Sequence, residues 1–158
     1  ITMERFDLTE LIQGVINASA ILLNQNEITL NFSQQEPLFA WADEFKVEEV
    51  VTNYLSNAIH HAEGEKRIDI RCVKKDDKVR VSVFNTGKPI PEEDVDNIWI
   101  KFYKVDKART REYGGSGIGL SIVQAIMDSF HQKCGVINHE DGVEFWFELE
   151  TNNGNFFS

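Results

Sequence analysis

Asn53 and Asn57 stand four residues apart in a stretch whose apolar residues recur at helical spacing, and 100° per residue puts them in one polar stripe with Glu49, His60 and His61, facing away from the apolar one. Helix faces that only meet water are filled with Lys, Glu or Gln, whereas asparagine is a poor helix former. Two asparagines a turn apart suggest that their amide oxygens are wanted, for example as neutral ligands to a hard cation such as Mg²⁺, which takes oxygen donors and keeps waters and phosphates. A plain solvated face is the alternative. Gly114-Gly115-Ser116-Gly117-Ile118-Gly119-Leu120 leads into another apolar-periodic segment. Glycines at a helix start let backbone N–H groups approach an anion where the helix dipole adds positive potential; otherwise they form a hinge. GxxxxGK[ST] is absent, and GxGxxG read from Gly115 would need Gly at Leu120. Lys101, Lys104, Lys107, Arg109 and Arg111 lie within eleven residues, opposed only by Asp106. That local positive patch suits closure over polyphosphate, or else is a solvated loop. Asn85 opens Asn85-Thr86-Gly87-Lys88-Pro89-Ile90-Pro91 after a strand pattern. It either fixes a turn or offers a carbonyl oxygen to an exocyclic amino group.

The elements that must position these groups follow from periodicity. Asp7 to Gln25 opens with a capping-box relation between Asp7 and Glu10 and predicts a first helix. Ile28 to Phe32 and Leu38 to Ala42 read as strands, together a hairpin. A second helix runs from the N-cap Asp43 through Val47, Val50, Val51, Tyr54, Leu55, Ala58 and Ala62. Arg67 to Val73 and Val79 to Phe84 alternate about a polar turn and predict an antiparallel hairpin. Periodicity then stops from Asn85 to Gly117, apart from a short helix near Glu92 to Ile98, as in lids and binding loops. A third long helix follows to about His131, and Gly135 to Asn138 with Val143 to Leu149 close the chain as a hairpin across Asp141-Gly142. Hairpins in place of repeated βαβ units predict an α/β (α+β) two-layer sandwich: a mixed, mostly antiparallel sheet covered on one face by three long helices.

The 158 residues are 42% hydrophobic, enough for one domain with a core. We expect that domain over 1–150, its lid at about 88–117, and a tail at 151–158. Sixteen basic against 26 acidic residues leave a net charge of −10, which disfavours a nucleic-acid or anionic-membrane partner. Cys72 and Cys134 form no CxxC, so neither a zinc cluster nor a disulfide framework is suggested, and a reducing, cytosolic setting fits. No apolar run reaches the roughly 20 residues of a membrane helix, so a soluble chain is expected. It opens on Ile1 and not Met, and the expectation is a piece of a longer protein.

Taken together, these segments resemble the ATP-binding catalytic domain of bacterial two-component sensor histidine kinases, the Bergerat-fold group shared with gyrase, mismatch-repair and heat-shock ATPases. Asn53-Tyr54-Leu55-Ser56-Asn57-Ala58-Ile59-His60-His61 is similar to the N box and Asn85-Thr86-Gly87-Lys88-Pro89-Ile90-Pro91 to the first glycine box. Ile100-Lys101-Phe102-Tyr103-Lys104 is similar to the F box, and Gly115-Ser116-Gly117-Ile118-Gly119-Leu120 to the second glycine box. The resemblance implies ATP and Mg²⁺ as cofactors, with Asn53 and Asn57 on the metal, His60 at the phosphates in place of a usual Lys, and His61 against the adenine. Gly87, Ile90, Phe102 and Tyr103 would line the nucleotide. Lys104 and Arg109 would act with Asn53 in catalysis, touching the terminal phosphate, and Gly115, Ser116, Gly117, Ile118, Gly119 and Leu120 would cradle the phosphate chain. Asn85 stands where the family most often has Asp, and Pro89 at a usual glycine.

The implied activity is transfer of the γ-phosphoryl group to a His on a dimerisation segment outside this chain, for relay to an Asp of a response regulator receiver domain. The parent would be a homodimeric membrane sensor with this domain in the cytoplasm, making no membrane contact of its own. Bergerat-fold ATPases have a water-activating Glu where this chain has Asn53, and an amide cannot take a proton from water. A conformational ATPase and a non-catalytic nucleotide-sensing module are the competing functions.

Overall fold

Carboxylates set the two helix starts that the sequence announces. In the computed structural model, which describes residues 1–34, 36–103 and 118–152, the Asp7 carboxylate accepts the Glu10 N–H at 3.0 Å and starts α1 (Leu8–Ala18). Asp43 caps α3 (Glu44–His61) through the Lys46 N–H at 3.2 Å, and its other oxygen accepts the Thr2 N–H at 2.9 Å. The Thr2 bond is the main reason that this carboxyl is held below its usual pKa. The remaining elements, in chain order, are β1 (Glu4–Asp7), α2 (Ala20–Gln25), β2 (Thr29–Phe32), β3 (Phe39–Ala42), β4 (Arg67–Lys75), β5 (Lys78–Thr86), a 3₁₀ turn at Glu92–Asp94, α4 (Gly119–Ser129), β6 (Cys134–His139) and β7 (Gly142–Glu150).

The strands form one sheet ordered β1-β3-β7-β5-β4-β2, with β6 also on β7, and helices cover one face. Alternation decides which side chains meet the helices. Val79, Val81, Val83 and Asn85 of β5, and Val143, Phe145, Phe147 and Leu149 of β7, are all buried. Tyr54 reaches from α3 into this layer, its hydroxyl donating to the Trp146 carbonyl at 2.9 Å, with its ring 5.4 Å from that of Phe145. On the opposite face Arg80 lies 3.8 Å over the Trp146 ring and pairs with Glu148 at 2.9 Å.

The expected hairpins of β4 with β5 and β6 with β7 form, with Ile70 opposite Val83 and Val136 opposite Phe145. The expected hairpin of β2 with β3 does not. β2 pairs parallel to β4, Thr29 opposite Arg67, while β3 pairs with β1 and meets β7 at Trp41↔Glu150. β1 was not anticipated, because a four-residue strand with only Phe6 fully buried leaves no readable alternation. The first helix divides at Ser19, whose N–H is shared between the Val15 and Ile16 carbonyls at 3.1 and 3.0 Å.

Both cysteines are unpaired. The register Cys72↔Val81↔Phe147↔Cys134 sets them three strand spacings apart, about 14 Å, beyond the reach of a disulfide. Burial pushes the Cys72 thiol up to about 12 and that of Cys134 to about 11, so both are neutral thiols at physiological pH.

Candidate functional site

On α3 the line open to solvent runs through Glu48, Thr52, Ser56 and His60, and not through the asparagines. Glu49 and Asn53 are half-buried, and Asn57 is 1% exposed. This corrects the expectation that the whole polar stripe faces away from the apolar one. The helix packs against α1, α4 and β5, which leaves only a narrow strip for water. Asn53 donates its amide hydrogen to the Glu49 carbonyl at 3.0 Å, which leaves its oxygen as the outward-acting group. Among the described residues neither Nδ2 nor Oδ1 of Asn57 has a hydrogen-bond partner.

Asn85 is the last inward residue of β5, also 1% exposed. Its Nδ2 donates to the Thr86 carbonyl at 3.1 Å, and its Oδ1 is unpartnered. The amide is thus oriented with its acceptor outstanding. Thr86 knits the exit of α3 to β5: its hydroxyl donates to the Glu63 carbonyl at 2.9 Å and accepts the Arg67 N–H at 3.0 Å, and its carbonyl accepts the Glu63 N–H at 2.9 Å. Gly87 follows at φ 148°, where a Cβ would stand 2.9 Å from the His61 carbonyl oxygen and 3.6 Å from Asn85 Nδ2. His61, Asn85 and Gly87 therefore converge at the C-terminal end of α3, with the His60 and His61 rings edge to face at 4.9 Å. Sequence reasoning finds all of these except Thr86.

Ile90 is 3% exposed. Its N–H donates to Asn138 Oδ1 at 2.9 Å and its carbonyl accepts from Asn138 Nδ2 at 2.8 Å. Beyond it, Trp99 meets the Phe145 ring edge-on at 5.9 Å, and the Tyr103 hydroxyl donates to the carboxylate of Asp94, itself 8% exposed. That bond is the main reason that the Tyr103 pKa is raised. Packing of this segment thus comes from Ile98, Trp99 and Tyr103, while Phe102, expected to line the nucleotide, is 60% exposed at φ 66°.

Ile118 precedes α4, and Gly119 and Leu120 are buried in its first turn against α3. No side chain of the described residues caps this helix start. Lys104, Arg109, Gly115, Ser116 and Gly117 lie outside the described residues. Among the described residues no three His, Cys, Asp or Glu are grouped to hold a metal, so a cation here would depend on amide oxygens. Asn57 fits that role, its buried oxygen having no protein donor. No described helix is long and apolar enough to cross a membrane.

A family model described as histidine kinase-, DNA gyrase B-, and HSP90-like ATPase matches residues 42–153. The sensor protein kinase WalK of Staphylococcus epidermidis is 34% identical over 132 residues, covering 82% of this chain and 21% of that protein. The sensor histidine kinase YkoH of Bacillus subtilis is 36% identical over 104 residues, covering 66% and 22%. The chain spans about a fifth of the length of these curated relatives. Among solved structures, the nucleotide-free catalytic domain of the histidine kinase ThkA superposes with a TM-score of 0.84 at 33% identity over 96% of this chain and 97% of that one. ThkA in complex with the response regulator protein TrrA gives 0.78 at 30% identity over 95% and 42%.

Proposed function

The chain belongs to the histidine kinase-, DNA gyrase B-, and HSP90-like ATPase family, and from that premise we propose that it binds ATP with Mg²⁺ and is the catalytic domain of a sensor histidine kinase. The observation that carries this reading is that three buried amide atoms, Asn57 Nδ2, Asn57 Oδ1 and Asn85 Oδ1, have no partner among the described residues. A buried polar group left unmade costs ~1–3 kcal/mol, so its retention on apolar faces calls for a ligand.

Asn85 Oδ1 accepts from the adenine amino group, with His61, Gly87 and Ile90 lining the base. Tyr103 and Phe102 flank the start of the basic run. Backbone N–H groups from Gly115 through Gly119 to Leu120, with Ser116, Gly117 and Ile118, hold the phosphate chain, and His60 stands at its edge. Asn53 and Asn57 would hold the metal through their amide oxygens. When bound, Mg²⁺ neutralises charge that develops on the phosphate oxygens. Lys104 and Arg109 bring two further positive charges to the terminal phosphate. A nitrogen of the acceptor imidazole attacks the terminal phosphorus with its lone pair, the bond to the bridging oxygen breaks, ADP leaves with that electron pair, and the phosphorylated imidazolium gives up the proton on its other nitrogen to solvent. Neutral imidazole needs no base to become a nucleophile. Water does, and Asn53 cannot take its proton, so transfer is favoured over hydrolysis.

The acceptor is a His on a dimerisation segment outside this chain, and the phosphoryl group passes on to an Asp of a response regulator. The ThkA–TrrA complex and the sensor kinases among the relatives support that relay. The parent is a homodimeric bacterial membrane sensor with this domain in the cytoplasm. Labelled ATP incubated with the parent protein should yield an acid-labile phosphate on the protein, lost in Asn57→Ala. Steady release of inorganic phosphate with no protein labelling would indicate an ATPase. Nucleotide binding with no transfer to a supplied dimerisation segment would indicate a sensing module.

A further inference from the structure

Among the described residues the loop from Gly87 to Pro91 is tied to the β6–β7 hairpin. Two of its backbone groups are fixed by Asn138, which sits on β6 opposite Val143: the Ile90 N–H donates to Asn138 Oδ1 at 2.9 Å, and Asn138 Nδ2 donates to the Ile90 carbonyl at 2.8 Å. A third tie runs from the Gly87 N–H to the Asp141 carbonyl at 3.0 Å, in the turn of the same hairpin. That hairpin stands as close as the backbone permits: a Cβ on Gly142 would lie 2.1 Å from the Asn85 carbonyl oxygen. The β6–β7 hairpin thus buttresses the loop at both ends, and among the described residues its side-chain contribution is the two-point amide of Asn138. An amide is suited to this task because it donates and accepts in one plane, whereas Asp only accepts and Leu does neither.

We propose that Asn138 is a positioning residue for nucleotide binding: its amide locks the Ile90 backbone and so keeps the Gly87–Pro91 loop in the geometry that receives the base. The inference rests on the nucleotide-binding reading above. Asn138 acts through Ile90 and touches no nucleotide. Removing the lock lets the loop populate other conformations, and apparent affinity falls by the fraction that leaves the competent one. Loss of two hydrogen bonds corresponds to about a tenfold weakening. The terminal phosphate is handled elsewhere, so the transfer rate at saturating ATP is unaffected.

The test compares the parent chain with Asn138→Leu and Asn138→Asp, measuring Mg·ATP affinity by calorimetry, hydrogen exchange at the Ile90 amide, and melting temperature. In the full-length kinase, KM for ATP and kcat for autophosphorylation are measured. The expected result is affinity falling in the order parent, Asp, Leu, about tenfold at the end of the series, with faster Ile90 exchange, a raised KM and an unchanged kcat. Unchanged affinity in Asn138→Leu overturns the proposal, as does a fall in kcat equal to the loss in affinity. Since Asn138→Leu also tests folding, Asn138→Asp keeps the Ile90 N–H acceptor. If it melts like the parent yet binds no more weakly, the two-point lock is refuted. Should the parent chain itself bind no nucleotide, the functional reading fails, whereas unaltered Ile90 exchange in both variants refutes the lock alone.

Discussion

Replacing Asn57 with Leu should make the nucleotide-free domain more stable while removing its response to ATP. Asn57 is 1% exposed in α3 between buried Tyr54, Leu55 and Ala58, and both its amide atoms lack partners. Leucine has the same number and branching of side-chain heavy atoms, leaves nothing unsatisfied and favours the helix by about 0.5 kcal/mol. Ending the amide's desolvation penalty contributes ~1–3 kcal/mol more. In a domain of 158 residues, each kcal/mol moves the melting temperature by ~2–4 °C, so a rise of roughly 3–14 °C is expected. Mg·ATP at a hundred times its Kd adds ~2.7 kcal/mol to the parent and should add nothing to Asn57→Leu. Melting followed by fluorescence, with and without Mg·ATP, reads both effects in one experiment. A variant that melts below the parent would mean that the Asn57 amide makes native interactions. A variant that melts higher with Mg·ATP would take Asn57 out of the metal site.

Asn85→Asp should preserve or tighten ATP binding, since a charged acceptor replaces a neutral one, whereas Asn85→Ala should weaken it by ~1–3 kcal/mol; equal calorimetric affinities for ATP and GTP in the alanine variant and the parent would reduce Asn85 to a turn residue. Lys104→Ala and Arg109→Ala should slow autophosphorylation more than they weaken ADP binding, and equal losses in both assays would count against contact with the terminal phosphate. Gly142→Ala should destabilise the domain, because its Cβ would press on the Asn85 carbonyl at 2.1 Å; urea denaturation with an unchanged midpoint would contradict that. Alkaline pH should destabilise it as well. Burial raises the Tyr54, Cys72 and Cys134 pKa values, so above roughly pH 8.5, where an unfolded thiol ionises, the unfolded chain binds fewer protons than the native one, and stability should fall as pH rises toward about 11. A flat urea midpoint across that window would refute the assignment.

Local chemistry was legible where both partners lie near one another in sequence. The Asp7 and Asp43 caps, the turn at Asp76-Asp77 and the hairpin at Asp141-Gly142 are all set within a few residues. Strand partners across long intervals were not. Ile28 to Phe32 has a strand's alternation, but nothing in it distinguishes pairing with β3, the next strand, from pairing with β4 beyond the whole of α3. Asn138 was hidden for the same reason. On an edge strand it reads as one more outward polar residue, and its partner Ile90 is 48 positions away.

Asn57 was missed as a buried residue for a more informative reason. Periodicity assigns polar residues to the water side, and that rule fails where a polar group is held inward for a ligand. Partnering separates the two kinds of amide. Asn26 donates to the Leu22 carbonyl, Asn31 to Asp69, and Asn138 fills both of its roles on Ile90. Those amides serve the fold. Asn57 and Asn85 occupy inward positions on otherwise apolar faces, and each keeps an oxygen without a donor. A sequence under selection for stability alone would place Leu or Val there, as it does at Leu55 and Val83. The same two positions therefore account both for a stability deficit in the empty domain and for the affinity that a ligand with a metal and an amino group would recover.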